Sequence, residues 1–261
     1  KTIPQAEDLP AASELRFGAR YVAMQSVGGD LYDVLPLDGR RYALLIADVS
    51  GHGMAAALVA AMAKVAFRTQ SGSGRTPAEV CRAVNREIHE LIGGETYYLS
   101  AFYLILDVVD GSLTYANAGH PPVLLVRGDK SMEKLDVTGG QLLGISDDFV
   151  FEEGRSRMNP GDFLLMFTDG IVEARDPDGD FYEYGRLMDF VRSNRDADPG
   201  DFIQGLMDDV DAFSRGAVRT DDRAALLVQL AGYRSAKMAD LSGSQDWTAR
   251  FDKAGRLLKA G

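Results

Sequence analysis

Four acidic positions in this 261-residue chain sit where an apolar run meets a turn: Asp30 after Gly28-Gly29, Asp48 in "IADVSGHG", Asp169 in "MFTDG", and the pair Asp221-Asp222 in "RTDDRAALLV". Taken singly each is ordinary, because Asp and Gly are the residues that make turns. Four of them at strand edges pose a different problem. If the fold packs those edges together, the carboxylates repel one another and their charge must be compensated, which points to bound cations. Ligands that are all oxygen, with no Cys or His pair nearby, select hard ions such as Mg²⁺ or Mn²⁺ over zinc. Two such ions about 3.5–4 Å apart would neutralise a phosphate dianion and polarise a water held between them, so the set suits phosphate-ester hydrolysis.

Composition narrows the alternatives. The formal charge of −11, with a pI near 4.8 and no basic block or stripe, argues against nucleic acid as a partner. Hydrophobic residues make up 46% of the chain, enough for one large core. Cys81 is the single cysteine, so no intrachain disulfide can form, and its place in a predicted helix suits a small buried apolar residue. A reducing, cytoplasmic setting is the expectation. The longest apolar stretch, Met54 to Phe67, is interrupted by Lys64 and is shorter than the roughly 18 residues of a membrane span. No signal peptide is visible, and Lys1 as first residue implies a segment upstream.

The elements that would position the acids follow from periodicity. "ELRFGARYVA" alternates, with Leu15, Phe17, Ala19 and Tyr21 on one face; "LYDVLPLDGR" ends in an Asp38-Gly39 turn; "RYALLIADV" is a more fully buried strand. Three antiparallel strands are therefore expected first. A helix from Gly53 to about Gln70 comes next, then one capped by Thr76 with Pro77 in its first turn, running to Ile92 before Gly93-Gly94. Strand patterns return in "YLSAFYLILDVVD", "SLTYANAG", "PVLLVRG", "FVFEEGRSRM" and "DFLLMFTDG", with connections too short for parallel crossovers. Helices at about 184–194 and 199–215 and a last strand, "AALLVQLAG", complete the pattern. The expected fold class is α+β, with two stacked antiparallel sheets and helices outside them. Residues 1–14 are expected to link to the upstream segment, 15–232 to form the domain, and 233–261 to be a polar linker or a C-terminal helix packed through Trp247, Phe251 and Leu257.

In their order along the chain, "VGGDLYD", "DVSGHG", "YANAGHPP", "TDGIVEA" and a terminal Asp-Asp pair resemble the metal-dependent serine/threonine protein phosphatases, in the bacterial branch typified by SpoIIE and RsbU. The resemblance covers about residues 15–231 and lies in the ordered combination, each piece alone being weak. It implies a four-layer αββα sandwich with two Mn²⁺ or Mg²⁺ ions at one edge. Carried over, it makes Asp48 the carboxylate bridging both metals and Val49 the donor of a backbone carbonyl. Asp169 and Asp221 would hold the other side, and Asp30 would act directly or through a bound water. A water bridging the metals would attack phosphorus in line, without a covalent enzyme intermediate. The implied substrate is a phosphoserine or phosphothreonine protein, an anti-sigma-factor antagonist in this branch. The branch also implies regulatory segments flanking the chain and a homodimer as one mode of control.

Several positions depart from the pattern or stay bland. Leu31 stands where the branch often has Trp, and no clear counterpart exists of the phosphate-binding arginine of the eukaryotic relatives; Arg16 and Arg20 are weak candidates. His52 and His120 lie in Gly-flanked turns and are read as structural, and His89 as a helix-surface residue. Neighbouring side chains on an extended segment face opposite ways, so Asp221 is taken as the ligand and Asp222 as a hydrogen-bonding residue whose role an amide could fill. Two other readings stand beside the phosphatase. A class III nucleotide cyclase also pairs strand-end aspartates but leaves Asp169 and Asp221-Asp222 unexplained, and a catalytically silent phosphoprotein-binding module would have lost a ligand.

Overall fold

The structure is a computed structural model that describes residues 4, 8–72, 74–92, 97–136 and 141–235. Trp247, Phe251 and Leu257, and the Gly93-Gly94 stop, lie outside the described residues. Ten strands form two five-stranded sheets. In the first, β1 (Leu15–Val22), β10 (Arg223–Leu230), β9 (Phe163–Phe167), β6 (Val123–Val126) and β7 (Met132–Leu135) lie side by side in that order. In the second the order is β2 (Leu31–Pro36), β3 (Arg41–Val49), β4 (Leu99–Asp107), β5 (Ser112–Ala118) and β8 (Gly154–Arg157). Every strand pair is antiparallel.

The period-two pattern of the strands sorts side chains into layers. Tyr32, Leu44, Ile46, Phe102 and Leu104 from one sheet meet Leu125, Leu164, Met166, Leu226 and Val228 from the other in a closed central core. The alternate residues of β3, Ala43, Leu45, Ala47 and Val49, point outward to α1 (Met54–Ser71) and α2 (Pro77–Ile92). On the far side Leu165, Phe167, Ala225 and Leu227 pack against α3 (Asp169–Val172), α4 (Glu183–Asn194) and α5 (Pro199–Phe213). The result is the αββα layering expected of two sheets that are apolar on both faces.

Local chemistry explains the helix limits. Thr76 and Glu79 form a reciprocal cap at the start of α2, Glu79 accepting from the Thr76 backbone N–H and Thr76 from that of Glu79. Helix α1 follows Gly53, whose φ of +80° few other residues adopt. It lays Ala56, Ala60, Ala63 and Phe67 on the sheet, the alanines allowing close approach. Its axial position is fixed by Asp33 of β2, which receives a two-pronged contact from Arg68 (2.6 and 2.9 Å) and faces the Lys64 ammonium at 3.7 Å.

The three strands expected first are present, but they do not all pair with one another. Only β2 and β3 pair; the segment from 23 to 30 carries the chain between sheets, and β1 runs beside β10, more than two hundred residues later in the chain. The strand expected around "FVFEEGRSRM" shortens to β8, while β7 and the single-turn α3 were not anticipated. Contacts continue through Arg234, whose guanidinium grips Glu14, the Gly39 carbonyl and the Tyr42 hydroxyl while its N–H donates to the Val108 carbonyl.

Candidate active site

The antiparallel register gathers the acids. Where two neighbouring strands run in opposite directions, the start of one lies beside the end of the other. Asp30 immediately precedes β2 and Asp48 is the penultimate residue of β3, with Leu31 opposite Ala47. In the other sheet Asp169 follows β9 and Asp221-Asp222 precede β10, with Ala225 opposite Phe167. Each sheet thus brings two acidic ends to the same edge of the sandwich.

Two contacts lock those edges together. The Thr168 hydroxyl donates to Asp30 Oδ2 at 2.6 Å and accepts from the Ala224 N–H at 3.0 Å. Asp222 accepts from the backbone N–H groups of Met24 and Gly29, one on each carboxylate oxygen, both at 2.7 Å. These bonds leave Asp222 buried and occupied, whereas Asp221 lies half-buried at the rim and accepts from the Asp222 N–H at 2.8 Å. The glycines fit this packing: a Cβ on Gly28 would come within 1.7 Å of the Asp222 carboxylate, and one on Gly170 within 1.9 Å of the Asp222 carbonyl oxygen.

The electrostatics are those of an undercompensated acid cluster. Burial, then the negative charge of Asp169, raises the Asp48 carboxyl to about 7. Burial and the neighbouring Asp48 push Asp30 well above the usual carboxylate range. Burial also raises Asp169, with Glu173 next, and raises Asp221. Among the described residues no lysine or arginine is a leading cause of these shifts; the one opposing side-chain charge is that of His52 on Asp221. The donors are oxygens throughout, and Gly29 keeps the space before the Val49 carbonyl open, a Cβ there lying 2.8 Å from that oxygen. Such a donor set fits hard divalent cations. Among the described residues no three acidic, imidazole or thiol groups already stand close enough to enclose an ion, so binding one would require the side chains to draw in.

Other candidates separate cleanly. Arg16 and Arg20 point to the helix-covered face of β1 and are engaged by Asp198 and Gln204, away from the acidic rim. His120 is buried, its Nδ1 2.7 Å from the Ser100 hydroxyl, and burial holds its ring down at about 3, so it stays neutral. His52 is exposed, with Nδ1 3.3 Å from Gln25 Nε2. His89 is partly buried, its Nδ1 3.1 Å from the Gly144 carbonyl. The Cys81 thiol is buried and pushed up to about 12, which leaves it inert. Leu31 is fully buried in the layer beneath α1.

Two residues escaped the sequence reading. Thr168 was visible only as the residue before Asp169. Tyr21 was placed on the core face of its strand, but its buried hydroxyl finds no geometric hydrogen-bond partner among the described residues, and burial, followed by the charges of Asp222, Asp30 and Asp48, raises its pKa and keeps it neutral.

Comparison with known proteins places this geometry. Residues 38–231 match the family described as Stage II sporulation protein E (SpoIIE). The chain is 27% identical over 220 residues to the phosphoserine phosphatase RsbP of Bacillus subtilis, covering 83% of this chain and 53% of that protein. It therefore spans about half the length of that relative. Among solved structures it superposes on the RsbU and RsbW domains of a Mycobacterium tuberculosis protein with a TM-score of 0.73 and 30% identity, covering 87% of this chain and 63% of that one. The PP2C phosphatase domain of Bacillus subtilis SpoIIE, solved with a fragment of its regulatory domain, gives a TM-score of 0.74 at 24% identity over 85% of this chain and 64% of that one, a likeness of fold. With nearly three quarters of the sequence matched, the chain belongs to the SpoIIE family, and it shares the sandwich fold of solved PP2C phosphatase domains.

Proposed function

We propose that this chain hydrolyses phosphoserine or phosphothreonine in a regulatory protein, with Mn²⁺ or Mg²⁺ held by Asp48, the Val49 carbonyl, Asp169 and Asp221, and with Asp30 acting directly or through water. The observation that carries the reading is the convergence of four acids from four distant segments on one edge, where burial, and then the charge of Asp169, lifts Asp48 to about 7. Two divalent ions bound there would cancel that repulsion, attract a phosphate dianion and acidify a water. The protein's own share is positional. Thr168 aims Asp30, the clasp on Asp222 seats the Gly28-Gly29 turn, and the β2–β3 register holds Asp48 against Asp30. His120, neutral and buried, supports the strand end at Ser100 and takes no proton from the reaction.

The substrate we favour is a phosphorylated anti-sigma-factor antagonist, supported by the family and by the likeness to RsbP, named a phosphoserine phosphatase. Control would reach the site through α1, which begins directly after the Asp48 turn. Segments flanking the domain, or a second copy of it, would shift that helix. No helix among the described residues is long and apolar enough to cross a membrane.

The test is hydrolysis of p-nitrophenyl phosphate and of a phosphoserine protein by the purified chain with Mn²⁺. Turnover should require the metal, stop with excess chelator, and fall by orders of magnitude in Asp48→Asn. Turnover that survives chelation, or normal rates in Asp48→Asn, would overturn the two-metal reading. Tight phosphoprotein binding without turnover would instead favour a silent binding module.

A further inference from the structure

Asp221 also lines a cleft of about 190 Å³, whose other walls the proposed chemistry does not use. One wall is the loop that follows α3, where Arg175 and Phe181 pair across a single bridge and the guanidinium lies over the Phe181 ring, 4.1 Å from its centre. The other is the loop after α5, which carries Val218 and Arg219. Arg223 forms the floor, donating to the Gly170 carbonyl and to the Ser214 hydroxyl.

The arginines of this cleft are unevenly paired. Asp211 Oδ1 is shared by Arg223 at 2.7 Å and Arg219 at 3.3 Å, so one carboxylate faces two guanidiniums. Arg175 is exposed and, among the described residues, makes no ion pair; its polar contact is with the Gly179 carbonyl at 3.4 Å. Glu173 and Asp221 also line the cleft, on the side of the acidic rim, where Glu173 raises Asp169. A chain with a formal charge of −11 thus places guanidiniums beside its acidic edge, with an apolar surface at Val218, which is 85% exposed.

We propose that this cleft is a substrate subsite: Arg175 and Arg219 grip an acidic side chain within a few residues of the phosphorylated one, while Val218 and Phe181 support the extended peptide. The inference rests on the phosphatase reading of the adjoining site and adds the sequence feature that such an enzyme would select. The chemistry suits it. Guanidinium binds carboxylate in a planar fork, and an extended peptide advances about 3.3 Å per residue, so a neighbour of a phosphoserine seated at the rim falls in the cleft.

The experiment compares four substrates with Mn²⁺: p-nitrophenyl phosphate, a phosphoserine peptide with Glu residues flanking the phosphoserine, and the same peptide with Gln or with Lys flanks. We expect the Glu peptide to exceed the Gln peptide in kcat/KM by about tenfold, mainly through KM, the size of one charge-assisted contact. In Arg175→Ala and Arg219→Ala that preference should shrink towards unity. In Arg175→Glu a peptide with Lys flanks should become the better substrate, a reversal that loss of folding cannot produce. Binding of a fluorescein-labelled, unphosphorylated Glu peptide, followed by anisotropy, should weaken in the same variants and so reads the cleft without turnover. A preference unchanged in all three variants, or losses equal for peptide and p-nitrophenyl phosphate, would overturn the subsite. Absence of any hydrolysis by the wild type would sink the phosphatase reading instead, leaving the anisotropy result to decide the cleft.

Discussion

The Thr168 hydroxyl and the Asp30 carboxylate meet at 2.6 Å across the gap between the two sheets, one at the end of β9 and the other at the start of β2. This bond fixes the Asp30 rotamer from the opposite layer of the sandwich. A group that orients a ligand from behind commonly accounts for about 10–100-fold in metal affinity or activity. Thr168→Val, which keeps the shape and removes the donor, should weaken Mn²⁺ binding by that order, while Thr168→Ser should retain it. Calorimetric titration with Mn²⁺ decides; equal affinities in Val and Ser variants would remove Thr168 from the site.

Asp221 and Asp222 should fail in different ways. Sequence alone suggested that an amide could replace Asp222, but each of its oxygens accepts a backbone N–H, and Asn offers one acceptor and turns an NH₂ against the other donor. Asp222→Asn is therefore expected to cost about 1–3 kcal/mol of stability, seen as a lower Tm even without metal. Asp221→Asn should leave the metal-free Tm unchanged or higher, since it removes a like charge, while weakening Mn²⁺ more than tenfold. Thermal unfolding with and without Mn²⁺ separates the two, and the opposite pattern would make Asp222 the ligand.

Acid should release the clasp between Glu14 and Arg234. Hydrogen bonding from Arg234 lowers the Glu14 carboxyl from 4.5 to about 2. A depressed acid stabilises the fold above its unfolded pKa and loses that contribution as pH falls through the folded one. Glu14→Gln should accordingly unfold at lower urea than wild type near neutral pH, with the gap narrowing as pH drops from about 4.5 towards 2. A gap that stays constant over that range would show that the charge of Glu14 contributes nothing.

The seat of α1 depends on Asp33. Removing that carboxylate leaves Lys64, which is almost buried, facing the space it occupied, and breaking such a buried pair costs about 3–5 kcal/mol. Arg68 is half-exposed, and Lys64 would still face Asp33 in its absence, so Arg68→Ala should cost less. Hydrogen exchange should show faster opening of α1 in Asp33→Ala than in Arg68→Ala; equal protection would mean that apolar packing alone seats the helix.

What could be read from the sequence, and what could not, follows from the range of the interactions. Antiparallel neighbours put the end of one strand beside the start of the next, so acids written at strand edges had to gather once the strands paired. The caps and limits of α2 were legible because Thr76, Pro77 and Glu79 act within one turn. The partner of β1 was not, since β10 lies more than two hundred residues away and β1 alternates as a strand of either sheet would. Thr168, Tyr21 and the arginine cleft were hidden for the same reason: their meaning lies in contacts across layers, and a lone Thr or Arg carries no periodic signature.

The close fit of Gly28 and Gly170 around Asp222 means that the acidic edge cannot be inherited or transplanted in pieces. A side chain at either glycine would strike the same residue, at its carboxylate or its carbonyl oxygen, so three segments far apart in the chain tolerate change only together. A designer grafting the site onto another scaffold would have to move the Gly28-Gly29-Asp30 turn, the Thr168-Asp169-Gly170 corner and the Asp221-Asp222 entry as one part. A variant library that randomises them separately would yield mostly broken combinations, while paired changes at Gly28 and Asp222 are where functional solutions should be sought.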